Sequence, residues 1–123
     1  MNVNAYSKYQ HISLDPDAAY EELYIRLARW TGEAAELLTA GHPQQAEPKL
    51  DRCIELLGYM DRGIDMSRSY DIALAILSLH RFAIGSLVKA KAEKQPLELE
   101  ALVKIFLSLA EIFSVIHARR SAA

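Results

Sequence analysis

The sequence predicts an all-α protein, an antiparallel up-down four-helix bundle. Three observations predict it. Apolar residues recur at alternating spacings of three and four along most of the chain, the period of one helix face rather than of a strand. Four such seams are separated by short connections, which join antiparallel helices. At 123 residues the chain is one domain, long enough for a core without disulfide or metal staples.

The first seam is Tyr20, Leu23, Leu27, Trp30, Ala34 and Leu37. Asp15 can cap this helix, Pro16 suits its first turn, and Asp17, Glu21 and Glu22 complement its positive end. Gly41 suits the left-handed position after a helix, so the helix is predicted over about 16–40. The second seam is Ala46, Leu50, Cys53, Leu57, Met60 and Ile64. Pro48 lies inside it and removes one backbone bond, so the expectation is a start near Gln44 with local distortion. A connection is expected over 65–69. The third seam reads Ile72, Ile76, Leu79, Ala83, Ser86 and Ala90, with Ser69 as its cap. The pattern stops over 91–96, and Pro96 suits the start of the last helix. The fourth seam is Leu99, Leu102, Phe106, Leu109, Phe113 and Ile116. The expected organisation is an N-terminal strap at 1–14, a bundle at 15–119 and a disordered C-terminus at 120–123.

The last two helices carry more apolar side chain than a small bundle buries. From Ile72 to Val88, and again from Ala101 to His117, 12 of 17 residues are apolar; a core-facing helix needs about three in seven. The surplus sits off the seams: Leu74, Leu77, Phe82, Ile84, Leu87 and Val88 on one helix, Val103, Ile105, Leu107, Ile112 and Val115 on the other. It reads as a wide core face, as an isologous homodimer interface, or as a groove for an amphipathic partner helix.

Composition narrows the function classes. A net charge of −2 and a pI near 6.1 give no electrostatic case for nucleic acid or an anionic membrane. Cys53 is the single cysteine, so no intrachain disulfide can form, which fits a reducing compartment. The N-terminal stretch has no continuous apolar run and does not read as a secretory signal. Ser78, His80, Arg81 and Ser86 interrupt one apolar stretch, and Lys104, Ser108 and Glu111 the other, which argues against membrane spans. A cytoplasmic protein is expected.

Motifs for chemistry are missing. Histidine phosphotransfer domains place Lys and Gly three and four residues after the reactive His. Here Ala83 and Ile84 hold those positions and Gly85 comes one later, about a hundred degrees around the helix. His80 reads instead as a partly exposed helix residue beside Arg81. No histidine has Glu three residues before it, so the bundle metal motif is absent. Cys53 reads as a small buried apolar residue. Neither a phosphate loop nor a nucleophile elbow occurs. No enzyme activity and no cofactor are expected. The N-terminal segment differs from an ordinary tail: Tyr6 and Tyr9, with Ile12 and Leu14, can lie on an apolar surface while their hydroxyls stay wet.

With these residues in view, the chain resembles the flagellar secretion chaperone FliS family, the export chaperones of flagellin. Asn4-Ala5-Tyr6 and Tyr9, then Pro16 opening a helix, match the family's start. Leu23-Tyr24 and Arg29-Trp30 stand at the spacing of its Leu-Tyr-Asp-Gly-x-x-Arg-Phe pattern, with Ile25-Arg26 replacing Asp-Gly. Arg52-Cys53, Ile64-Asp65 and Ile72-Ala73 align in the next helices, and Leu79-His80-Arg81-Phe82 takes the place of Leu-Tyr-Asp-Tyr. Leu87, Ala90 and Pro96 match, and Phe113 replaces a terminal Trp.

The resemblance implies a bundle that binds the disordered C-terminal segment of flagellin. It would block premature polymerisation and aid delivery to the flagellar export gate, with no nucleotide or metal. It implies that Tyr6 and Tyr9 belong to a displaceable strap, and that Tyr24 and Arg29 form a contact or structural pair. The groove residues expected from the off-seam pattern are Leu74, Leu77, Ile84, Val103, Leu107 and Ile112. The alternative is a helical module that homodimerises through the same flanks without a flagellin client.

Overall fold

The computed structural model describes residues 16–64 and 70–122. The expected caps Asp15 and Ser69, the 65–69 connection and the strap tyrosines Tyr6 and Tyr9 lie outside the described residues. Four helices follow one another: α1 Pro16–Thr39, α2 Pro43–Arg62, α3 Tyr70–Glu93 and α4 Leu99–Ala122. They form an all-α four-helix bundle.

Both described interhelical turns use the same device. After α1, Gly41 takes φ +81°, and the His42 N–H returns to the Leu37 carbonyl at 2.8 Å. After α3, Lys94 takes φ +57°, and the Gln95 N–H returns to the Ala90 carbonyl at 3.3 Å. A left-handed residue followed by this backward bond is the Schellman end of a helix. Gly41 adopts it without a Cβ clash, whereas Lys94 does so at a steric cost. Leu97 is also left-handed, at φ +44°, so Pro96 cannot open α4 as expected. The helix begins three residues later, where the Leu99 N–H meets the Pro96 carbonyl at 2.9 Å. α2 starts at Pro43, whose missing N–H is harmless in a first turn, and runs on through Pro48. α4 continues through Ala122, so residues 120–122, expected in a disordered C-terminus, are helical.

Packing is uneven. α1 lies mainly on α4 and next on α2, α3 lies on α2, and α3 barely meets α4. Neighbours run antiparallel: Tyr20, early in α1, sets its ring edge-on to Phe113, late in α4, at 5.2 Å between centroids. The Tyr20 hydroxyl also donates to the Met60 carbonyl near the end of α2, at 3.3 Å.

Two seams fill the core at five of their six positions: Ala46, Leu50, Cys53, Leu57 and Met60 from α2, and Leu99, Leu102, Phe106, Leu109 and Phe113 from α4, are buried, whereas Ile64 falls past the end of α2 and Ile116 is half-buried. α1, with a neighbour on each side, buries a wider face. Leu23, Leu27 and Ala34 are joined there by Tyr24, Ala28, Thr31, Ala35 and Leu38.

The third seam is corrected. α3 buries Ala73, His80, Ala83, Leu87 and Ala90, whereas Ile72 and Leu79 are exposed and Ser86 is half-buried. At three of six positions the buried residue is the one after the expected residue. His80, expected to be partly exposed, is 1% exposed. The physical reason lies in hydrogen bonds from the two helices behind it.

Candidate functional site: the outward face of α3 and the groove beside α4

α3 turns most of its large side chains away from the core. Tyr70, Ile72, Leu74, Leu79, Phe82 and Val88 are exposed, with Ile72 at 61% and Phe82 at 51%. By length and composition alone α3 is apolar enough to cross a membrane, yet only 22% of its most apolar stretch is buried in the fold. Exposed apolar side chains in this number make α3 a candidate interaction surface.

Polar contacts fix which way each stripe of α3 points. Ser86 Oγ donates to Glu98 Oε2, just before α4, at 3.4 Å. Ser86 is therefore on the α4 side, and Phe82, Leu79, Ala75 and Ile72 precede it at four, three, four and three residues along the same face. On the other flank Lys91 Nζ donates to Asp51 Oδ1 of α2 at 2.8 Å and lies 3.9 Å from Glu47 Oε1. Val88, Ile84, Leu77 and Leu74 share that α2 side.

The same reasoning orients α4. Ala101, Ile105, Ser108 and Ile112 follow Glu98 by steps of three and four and face α3. Val103 faces α1, because its Cγ2 lies 3.8 Å from the place of a Cβ on Gly32. Leu107 is one turn further along that flank. Ile72, Leu79 and Phe82 thus stand across from Ile105 and Ile112, along the one edge of the bundle where adjacent helices barely touch.

The six expected groove residues are divided by these orientations. Leu74, Leu77 and Ile84 lie on the α2 side of α3, Val103 and Leu107 on the α1 side of α4, and Ile112 on the α3–α4 groove. Leu74, Leu107 and Ile112 are exposed; Ile84 and Val103 are partly buried against the core. Arg29 is exposed and lies 3.9 Å from Glu33 one turn on. Tyr24 is 1% exposed and packs among Phe106, Phe113 and His80, with ring centroids 6.3, 5.8 and 5.7 Å away. Tyr24 is thus part of the core, while Arg29 lies on the surface beside Glu33. Periodicity put Ile72 and Leu79 in the core seam, and counted Phe82 in the off-seam surplus without placing it among the groove residues. The signal that could have found them is the count of apolar residues on both flanks of α3.

Behind the outward face is a buried polar chain. His80 Nε2 is 2.6 Å from the Tyr24 hydroxyl of α1, and His80 Nδ1 is 2.5 Å from Asp61 Oδ1 of α2. A carboxylate only accepts, so Nδ1 carries the hydrogen toward Asp61. Burial raises the Tyr24 phenol above its ordinary pKa, with Tyr20 and Asp61 adding to the rise. Tyr24 therefore keeps its proton and donates it to Nε2. Both ring nitrogens are satisfied, as burial of an imidazole requires. The chain has the form of a relay, but its terminal hydroxyl lies in the core, out of reach of a substrate.

Cys53 is buried with its Sγ 3.5 Å from Thr31 Oγ1. Burial pushes its thiol up to about 11, against smaller lowering from Thr31 and Lys49, which makes it a poor nucleophile. Among the described residues no group of three or more His, Cys, Asp or Glu side chains is placed to hold a metal ion.

No match was found among curated proteins. The family model described as "Flagellar protein FliS" matches residues 2–120. That match spans nearly the whole chain and includes all four helices, so the protein belongs to the FliS family of flagellar export chaperones.

Proposed function

We propose that this protein is a cytoplasmic export chaperone whose α3–α4 edge receives amphipathic helices from the disordered C-terminal segment of flagellin. The observation that carries the reading is the outward apolar face: Ile72, Leu79 and Phe82 opposite Ile112, in a chain of a flagellar chaperone family. A client helix laid along that edge would bury its apolar stripe on these residues, at the cost of ordering a disordered segment. Occupying the client's sticky surface would prevent premature polymerisation until delivery to the export gate. The second apolar stripe of α3, with Leu74 and Val88, and the α1 flank of α4, with Leu107, offer further surface for a client that wraps around the bundle.

The N-terminal segment, with Tyr6 and Tyr9, serves in this reading as a strap that covers apolar surface until a client displaces it. The activity is binding, without catalysis, cofactor, nucleic acid or membrane insertion. The test is light scattering with and without a peptide of the flagellin C-terminal segment. A one-to-one complex that is lost in Phe82→Asp and Ile112→Asp, with helicity retained, supports the proposal. A stable homodimer that does not bind the peptide overturns it.

A further inference from the structure

The inward face of α3 is unusual for a core helix. Apart from Leu87, its buried positions are Ala73, Ala83, Ala90 and His80. Alanines fix the rotation of a helix weakly, because each buries little apolar area. The unused seam on the same helix, Ile72, Ile76, Leu79, Ala83, Ser86 and Ala90, has the same spacing and would bury Ile72, Leu79 and Ser86 in place of Ala73, His80 and Leu87. The two settings share positions 76, 83 and 90. One residue is 100° about the axis, so the settings differ by a rotation of about 50°. Nothing on α4 blocks this turn, since α3 and α4 barely meet.

The turn would lose the burial of Leu87 and gain that of Ile72 and Leu79, so apolar area does not favour the observed setting, and what does favour it is polar. In the observed setting His80 bonds both to Tyr24 of α1 and to Asp61 of α2. In the rotated setting it would leave both. The other polar anchors of α3 lie at its exposed C-terminal half: Ser86 with Glu98, and Lys91 with Asp51 and Glu47. His80 ties the middle of α3 to both neighbouring helices by hydrogen bonds.

We infer that His80 is a positioning residue: by joining Tyr24 and Asp61 it selects the rotation of α3 that displays Ile72, Leu79 and Phe82 on the α4 side instead of burying Ile72 and Leu79. The apolar surface is then maintained by a buried polar contact in addition to the packing of Leu87. Uniqueness of one arrangement among near-equal ones is a use to which buried polar groups are put.

The test requires no client, so its failure is distinguishable from failure of the chaperone reading. In a Cys53→Ala background, Leu79→Cys and Ile84→Cys each introduce one thiol, on the α4 and α2 sides of α3. Maleimide labelling rates are measured with His80 present and with His80→Leu. Rotation predicts opposite changes: the thiol at 79 slows by about tenfold and the thiol at 84 speeds up, the scale on which losing a charge-assisted bond shifts a two-state balance. Loosening of α3 would speed both, and a fixed helix would change neither; either result overturns the inference. Should His80→Leu fail to fold, Tyr24→Phe keeps the ring packing and removes one of the two bonds. It must then move both rates in the same opposed directions, to a smaller extent, or the inference falls.

Discussion

α3 and α4 are each 24 residues long and equally apolar on average, yet they use that character in opposite ways. α4 puts Leu99, Leu102, Phe106, Leu109 and Phe113 into the core. α3 puts in three alanines, a leucine and a histidine, and shows Ile72, Phe82 and Val88 to the outside. The difference teaches that apolar content decides whether a helix joins a bundle, whereas the neighbours decide which side faces in. α4 lies along α1, where large side chains interlock. α3 lies along α2, and its rotation is set by hydrogen bonds.

The strongest test of that contrast removes one aromatic from each helix. Phe106→Ala should cost about 3–5 kcal/mol in urea unfolding, because a buried ring leaves a cavity. Phe82→Ala should cost about 0.5 kcal/mol or less, as exposed substitutions do. Similar costs for the two would break the comparison.

A second test separates the core from the α3 surface by pH. The Cys53 thiol has an ordinary pKa of 9.0 and is pushed up to about 11 in the fold. The folded state therefore holds a proton that the unfolded chain releases. Stability is full below about pH 9 and falls as pH rises toward 11, by about 2–3 kcal/mol from this group. Cys53→Ala should remove that part of the alkaline loss in unfolding measured from pH 8 to 11. Tyr24, also raised by burial, should sustain a further loss above its ordinary value of 10.0.

Tyr24→Phe tests the polar fixation of α3. It leaves His80 Nε2 buried without its donor and should lower stability by about 1–3 kcal/mol at neutral pH. An unchanged midpoint would mean that apolar packing holds α3 as it holds α4. A smaller effect, of opposite sign, is expected at the end of α3. Lys94→Gly relieves a left-handed residue and should stabilise by about 1 kcal/mol, seen as a higher thermal midpoint. At the end of α1, Gly41→Ala should do the reverse.

The α2 and α4 seams were legible in the sequence because each offers one clear stripe of large residues, from Leu50 to Met60 and from Leu99 to Phe113. α3 was not, because it has two stripes of similar strength one residue apart. What chooses between them is His80, whose partners lie 56 and 19 residues away in the chain, and no local period contains that information. For the same reason the apolar surplus was legible as a quantity, while its placement was not. Leu74, Leu77 and Ile84 were expected in one groove with Val103, Leu107 and Ile112. The contacts of Ser86, Lys91 and Gly32 divide them among three faces.

The alanine-lined inner side of α3 also bears on how such a protein can change over generations. Folding asks little of Ile72, Leu79, Phe82 or Val88, since each already faces outward. Substitutions there can retune what the surface accepts without re-solving the core. A comparable change at Phe106 or Leu102 would have to be matched by its neighbours. In the proposed reading, specificity and foldability are written largely on opposite sides of one helix, and the first can drift while the second stays fixed.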